Sequence, residues 1–279
     1  MPSAVIAAVM CPDTSHYLEK ARNIIDAIHG GKLHSPNAFV LKIEQVPTWH
    51  EIKSTYITNR INRSDLSIFS DDEGGQQEEL ALWLVDNLLP TGAIKSPQIR
   101  EPSNTRELSD LLLTYEFGSF LLESKVLSIL ERKTLPNRTK LSQNVCVKLK
   151  KAIKQLTGGC KNLRRDYKVT DIAGEEIEIE RSQPMHAIVL VPELSLLADA
   201  PQFGGECLRN FCSETGSFLH ILDPSELLRM VQSGVRISSL GEKTTPMMAF
   251  DFYLVQRLKR AVTLDTADFE MLLRIKNES

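Results

Sequence analysis

A chain of 279 residues with 42% hydrophobic and 25% charged residues has ordinary globular composition, which excludes a fibrous or globally disordered protein. A net charge of −3 does not mark the whole molecule as a polyanion or polycation, and no apolar run is long enough to span a bilayer. The length holds one large domain or two modest ones. Near the start, SAVIAAVM reads as a buried strand or short apolar segment. It has no basic region before it, which argues against a secretory signal peptide. Residues 14–29 place Tyr17, Ala21, Ile24, Ile25 and Ile28 near helical spacing, with Thr14 or Ser15 as cap and Gly30-Gly31 as stop. A strand over Ala38 to Ile43 and a helical segment over Trp49 to Asn62 follow. Without a G-x-G-x-x-G after the first strand or a phosphate-loop lysine, this βαβ-like beginning carries no nucleotide site. His50 and Glu51 read as a solvated helix face.

The acidic, glycine-bearing SDDEGG at Ser70 to Gly75 marks a loop or boundary. Gln76 to Leu89 then forms a helix, apolar nearly all round from Leu80 to Val85 and therefore well buried. Pro90 to Thr105, with three prolines, is an irregular connection containing one edge strand. Next, DLLLTYEFGSFLLESK, Asp110 to Lys125, has two apolar runs flanking a break at Glu116 to Ser119, the pattern of a β-hairpin. A two-residue turn sets Asp110 across from Glu123; a four-residue turn sets it across from Lys125, with Glu123 on the diagonal. In both registers Asp110, Glu123 and Lys125 share one face, because side chains alternate with period two. Directly opposed Cβ atoms sit about 4.5–5.5 Å apart, close enough for two carboxylates to hold a divalent cation between them. A strand this apolar is buried on both sides, so ionisable groups in it require a partner.

An aspartate, an apolar hairpin, a hydrophobic-Glu-x-Lys and then a basic helix resemble the PD-(D/E)xK nuclease superfamily, closest to its restriction-endonuclease-like and nuclease-related members. The resemblance covers roughly Gly75 to Val231. Glu-x-Lys also occurs at Glu51-Ile-Lys53 and Glu131-Arg-Lys133, but only Glu123-Ser-Lys125 ends an apolar run with an aspartate across a hairpin. Ser109 stands where the superfamily has proline. The resemblance implies a mixed central sheet flanked by helices, an α/β restriction-endonuclease-like core over 73–235. A 1–72 α/β segment would precede that core and a 236–279 helical segment would follow it. It also implies an acidic helix before the hairpin, in which Glu78 or Glu79 completes a metal site; either equally serves as a favourable charge in a first helical turn. On the helix after the motif strand, Lys154-Gln155-Leu156 looks like the element that points back into the site in several branches. Gln155 instead sits at the edge of the sheet contact if the adjoining Leu156 sets its position.

Between Glu131 and Lys168 the chain has twelve basic residues and two acidic ones. Such segregation is the electrostatic footprint of a nucleic-acid face; the bland alternative is a solvated helix whose lysines serve solubility. Leu149, Ile153, Leu156, Cys160 and Leu163 form one helical stripe, and Gly158-Gly159 inside it imply a break or close packing. Beyond, a short strand over Ile177 to Glu180, strands His186 to Val191 and Ser217 to Leu222, and helices over 203–214 and from Asp223 onward make the alternation of an α/β sheet. His186 and His220 read as core histidines. Residues 245–276 form one or two amphipathic helices anchored by Phe250, Phe252, Leu254, Leu258, Phe269, Leu272 and Leu273, packing on the core or mediating homodimerisation or a protein contact. Five scattered cysteines without a C-x-x-C pair argue for reduced thiols in a cytoplasmic protein and against zinc. The expected function is Mg²⁺- or Mn²⁺-dependent hydrolysis of nucleic-acid phosphodiesters by an endo- or exonuclease. Its ligands would be Asp110, Glu123 and Glu78, with Lys125 and Gln155 as further catalytic residues, and no membrane partner is expected. The family likeness favours DNA over RNA. The competing expectation is a catalytically inactive nuclease-like fold that binds nucleic acid or assembles with other proteins.

Overall fold

The structure, a computed structural model, describes residues 72–269 apart from 103, 128–133, 135 and 241–242, together with 271 and the backbone of 56–58 and 65–67. The chain divides into two compact units, 1–55 and 56–279, and all described residues belong to the second. The elements expected over 3–43, and His50 and Glu51, lie outside the described residues. The helix expected over Trp49 to Asn62 is not formed where that segment is described. Tyr56–Thr58 is a strand (β1) paired antiparallel with Asp65–Ser67 (β2), in keeping with the strand preference of Tyr, Ile and Thr.

Helix α1 (Glu73–Asp86) begins earlier than Gln76, because the Asp72 side chain accepts the Gly74 N–H at 3.0 Å and caps the helix ahead of its two glycines. The proline-bearing connection holds two strands, β3 (Gly92–Lys95) and β4 (Gln98–Arg100), and β5 (Thr105–Glu107) follows. The hairpin is β6 (Leu111–Tyr115) and β7 (Gly118–Ser124), joined by the two residues Glu116 and Phe117. Helix α2 (Arg138–Arg164) runs 27 residues, about 40 Å, and Asn137 caps it by accepting the Lys140 N–H at 2.9 Å. Gly158 and Gly159 do not break it. A Cβ at Gly159 would stand 3.3 Å from the Leu108 carbonyl oxygen and from Leu121 Cδ1, so the missing side chain is what lets the helix lie this close to the hairpin.

Strand β8 (Val169–Thr170) joins β4 and β5 in a three-stranded sheet. Ile177 to Glu180 does not form the expected strand; pairing stops at a Thr170–Glu176 bridge, and Ile177 and Ile179 pack against the core from irregular chain. β9 (His186–Leu190), α3 (Gly205–Thr215), β10 (Phe218–Leu222), α4 (Pro224–Ser238) and α5 (Pro246–Leu264) complete the described fold. The five-stranded sheet has the order β10-β9-β7-β6-β3. Its β3-β6-β7 side is antiparallel and its β7-β9-β10 side parallel, making the molecule an α/β protein with a mixed sheet flanked by helices.

Two cores follow from the period-two alternation of β6 and β7. Leu112 and Leu121 pack with Val145, Leu149, Leu156 and Leu163 of α2. Leu111, Leu113, Phe120 and Leu122 pack on the other face with Leu84 and Val85 of α1, Leu227 and Met230 of α4 and Phe250 and Leu254 of α5. Phe252 is not one of the anchors: it is 59% exposed, being off the stripe that buries Phe250, Tyr253, Leu254, Arg257 and Ala261. Leu272 and Leu273 lie outside the described residues. The described cysteines are free thiols, and no described helix is long and apolar enough to cross a membrane.

Candidate active site

The register Leu111↔Leu122, continued by one residue, sets Asp110 opposite Glu123 on the α2 side of the sheet. Each carboxylate is held. The Ser124 backbone N–H donates to Asp110 Oδ2 at 2.6 Å, and Lys125 Nζ donates to Glu123 Oε2 at 2.7 Å while standing 4.0 Å from Asp110 Oδ2. Glu123 is 2% exposed, so its charge has little water to lean on. Burial, and then the neighbouring Asp110 carboxylate, push Glu123 up to about 7, against the pull of Lys125. Burial also raises Asp110, opposed by the Ser124 N–H and by Lys125. Two carboxylates that are both reluctant to ionise are short of positive charge beyond the single ammonium they share.

Glu78 lies on α1, half-buried, and pairs with Lys95 of β3 at 3.8 Å. Burial and then the field of Asp110 raise it, so it belongs to the same electrostatic neighbourhood as the carboxylate pair. Among the described residues no group of three or more His, Cys, Asp or Glu side chains is arranged to hold a metal ion. Glu78 therefore does not complete a three-carboxylate set in this geometry. Asp110 and Glu123 by themselves fit a hard divalent cation in donor type and surplus charge, since Mg²⁺ commonly takes one or two carboxylates and keeps several waters.

Gln155 is not brought to the hairpin. It is exposed on α2 beside Lys154, with no hydrogen bond among the described residues, because the close packing at Gly159 turns the Leu149–Leu156–Leu163 stripe to the sheet. The α2 residue that reaches the end of the motif strand is Lys148, whose Nζ donates to the Val126 carbonyl at 2.5 Å. Lys148 precedes Gln155 by two helical turns, so the helical face is readable from the sequence but the level along the helix is not. Gln77 carries no sequence signal for the place it takes: its Nε2 donates to the Leu190 carbonyl at 3.4 Å, the oxygen that also accepts the Lys125 N–H at 2.8 Å. These bonds tie α1 to the ends of β7 and β9. The Ser124 hydroxyl, between the two motif residues, is buried without a hydrogen-bond partner among the described residues.

The basic stretch resolves into uses. Lys161 pairs with Glu214 at 2.6 Å, Arg138 with Glu193 at 3.3 Å and Lys168 with Glu176 at 2.7 Å. Lys140, Lys150, Lys151 and Lys154 are exposed and form no ion pair among the described residues. Lys148, on the same helix, is the residue that reaches the end of β7. No family model, curated protein or solved structure matches the chain.

Proposed function

We propose that the chain is a metal-dependent nuclease that hydrolyses nucleic-acid phosphodiester bonds, with Asp110 and Glu123 as the residues that hold a divalent cation. One observation carries this reading: two carboxylates at opposed positions at the open end of a buried hairpin, both raised by burial, share a lysine at 2.7 and 4.0 Å. A fold gains no stability from such an arrangement, which is the mark of a site kept for chemistry. A divalent cation, Mg²⁺ or Mn²⁺, supplies Lewis acidity and positive charge at the phosphorus. Lys125 orients the attacking water and stabilises the charge that grows on the phosphoryl oxygens in the transition state. Lys140, Lys150, Lys151 and Lys154 bind the phosphate backbone and hold the strand against the hairpin. The order of acidic helix, antiparallel hairpin, basic helix and returning parallel strand supports a restriction-endonuclease-like core. Within that likeness, DNA is the favoured substrate.

The experiment is a cleavage assay with Mg²⁺ or Mn²⁺ on linear, circular and single-stranded substrates. Glu123→Gln should abolish cutting while the protein stays folded; retained metal-dependent cleavage refutes the assignment. A second reading is favoured by the Lys125 contacts themselves: an ion-paired hairpin in an inactive nuclease-like fold that only binds nucleic acid. That protein would shift nucleic acid in a gel with EDTA present and never cut it.

A further inference from the structure

A second cluster of buried titratable side chains runs through the opposite, turn-bearing end of the hairpin. His186 Nδ1 lies 2.9 Å from His220 Nε2, and His186 Nε2 lies 3.1 Å from Asp251 Oδ1. The Tyr115 hydroxyl donates to the other oxygen of Asp251. The histidines are 3% and 2% exposed, and aromatic rings close around them, with Phe120 stacked on His186 at 4.9 Å and Phe218 edge-on at 5.3 Å. The chain of contacts joins β6, β9 and β10 to the first turns of α5. Its donors run in a line and do not converge on a point, so it is not a metal cage.

Two ring nitrogens at 2.9 Å accommodate one hydrogen between them: one nitrogen donates and the other must keep its lone pair. The closed pair therefore carries one positive charge at most, whereas two separated imidazoles carry two. We propose that this Tyr115–Asp251–His186–His220 chain is an acid-sensitive clasp that holds the start of α5 on the sheet and opens as a further proton arrives.

The surroundings agree with that role. From α5, Asp251 accepts from His186, and its carboxyl, though burial works the other way, is held below the usual range by His186 and Tyr115. Arg257, also from α5, opposes a charge on His220 but is itself paired with Glu226 of α4 at 3.1 Å. From β6 comes the neutral Tyr115 hydroxyl, raised by burial and by Asp251, while β7 faces the pair with the apolar ring of Phe120. Burial, then His186 and Arg257, keep His220 well below the ordinary imidazole range. Opening thus takes up a proton and becomes easier as the pH falls.

Hydrogen–deuterium exchange of the full chain tests this. After correction for the intrinsic pH dependence of exchange, opening of residues 246–254 should rise about tenfold per pH unit below about 6.5. In His220→Gln the side-chain carbonyl can accept from a protonated His186 Nδ1, so the closed form carries the same charge as the open one and that rise should disappear. Opening independent of pH in the natural chain, or the same rise in the variant, overturns the proposal. Should the variant not fold, ring-nitrogen NMR of the natural chain decides: both imidazoles charged while α5 stays protected would equally overturn it.

Discussion

Replacing Glu123 with glutamine should abolish cleavage and stabilise the protein in alkaline solution, two effects of one buried carboxyl. Its folded value of about 7 stands against an ordinary 4.5. Below the ordinary value the group is protonated in both folded and unfolded chains and costs nothing. As the pH rises, the unfolded chain gives up its proton first, so folded stability falls until the folded group has also ionised. The full loss is about 3 kcal/mol, most of which falls between about pH 5 and about pH 8. Glutamine does not titrate, so urea unfolding across that range should show the variant gaining about this much relative to the natural protein. The difference between the two proteins is the informative quantity, since Asp110 titrates in both. Stability profiles that run parallel would show that Glu123 ionises freely in the fold, and the strained pair on which the nuclease reading rests would be gone.

Chelation gives a related test: Mg²⁺ should raise the unfolding midpoint of the natural protein in excess over its dissociation constant, EDTA should reverse this, and Asp110→Ala should show neither effect in a thermal scan. Replacing Lys150, Lys151 and Lys154 together with glutamine should leave thermal stability nearly unchanged. In a binding titration over salt it should reduce the slope of log affinity against log salt by about 0.7–0.9 for each phosphate no longer neutralised. Glu226→Ala, which strips the fully buried carboxylate from Arg257 at 3.1 Å and Arg229 at 2.7 Å, should cost about 3–5 kcal/mol in chemical denaturation. Replacing Glu226 and Arg257 together with leucine should cost much less, because the charge that then loses its partner, Arg229, is partly exposed to water, whereas Arg257 is buried. Asn137→Ala should lower stability by about 1 kcal/mol by uncapping α2.

Local patterns are legible where the physics is local. The hairpin, the α2 stripe, the start of α4 near Asp223 and the strands at His186 and Phe218 each follow from spacing or from short local signals. The turn is not decided locally, because Glu116 and Phe117 carry no glycine or asparagine signature for two-residue closure; the ladder from Leu111–Leu122 to Tyr115–Gly118 selects it. The start of α1 departs from expectation because two glycines weigh against a helix there and the Asp72 cap beside them overcomes that cost. β1 departs because a short aromatic and β-branched run has no usable period.

From the order of residues alone come the ingredients: carboxylates and a lysine at alternating positions, a helix basic on the outside, and histidines in apolar strands. Which ingredients meet is settled only by long-range packing. The diagonal neighbours His186 and His220 touch because β9 and β10 run parallel with Phe218 level with His186. Asp251 joins them because α5 crosses that end of the sheet. Lys148, and not Gln155, reaches the motif strand because Gly159 sets how α2 lies against Leu108 and Leu121. Period and propensity act over a few residues, whereas these contacts span tens to more than a hundred positions and depend on how whole elements settle against one another.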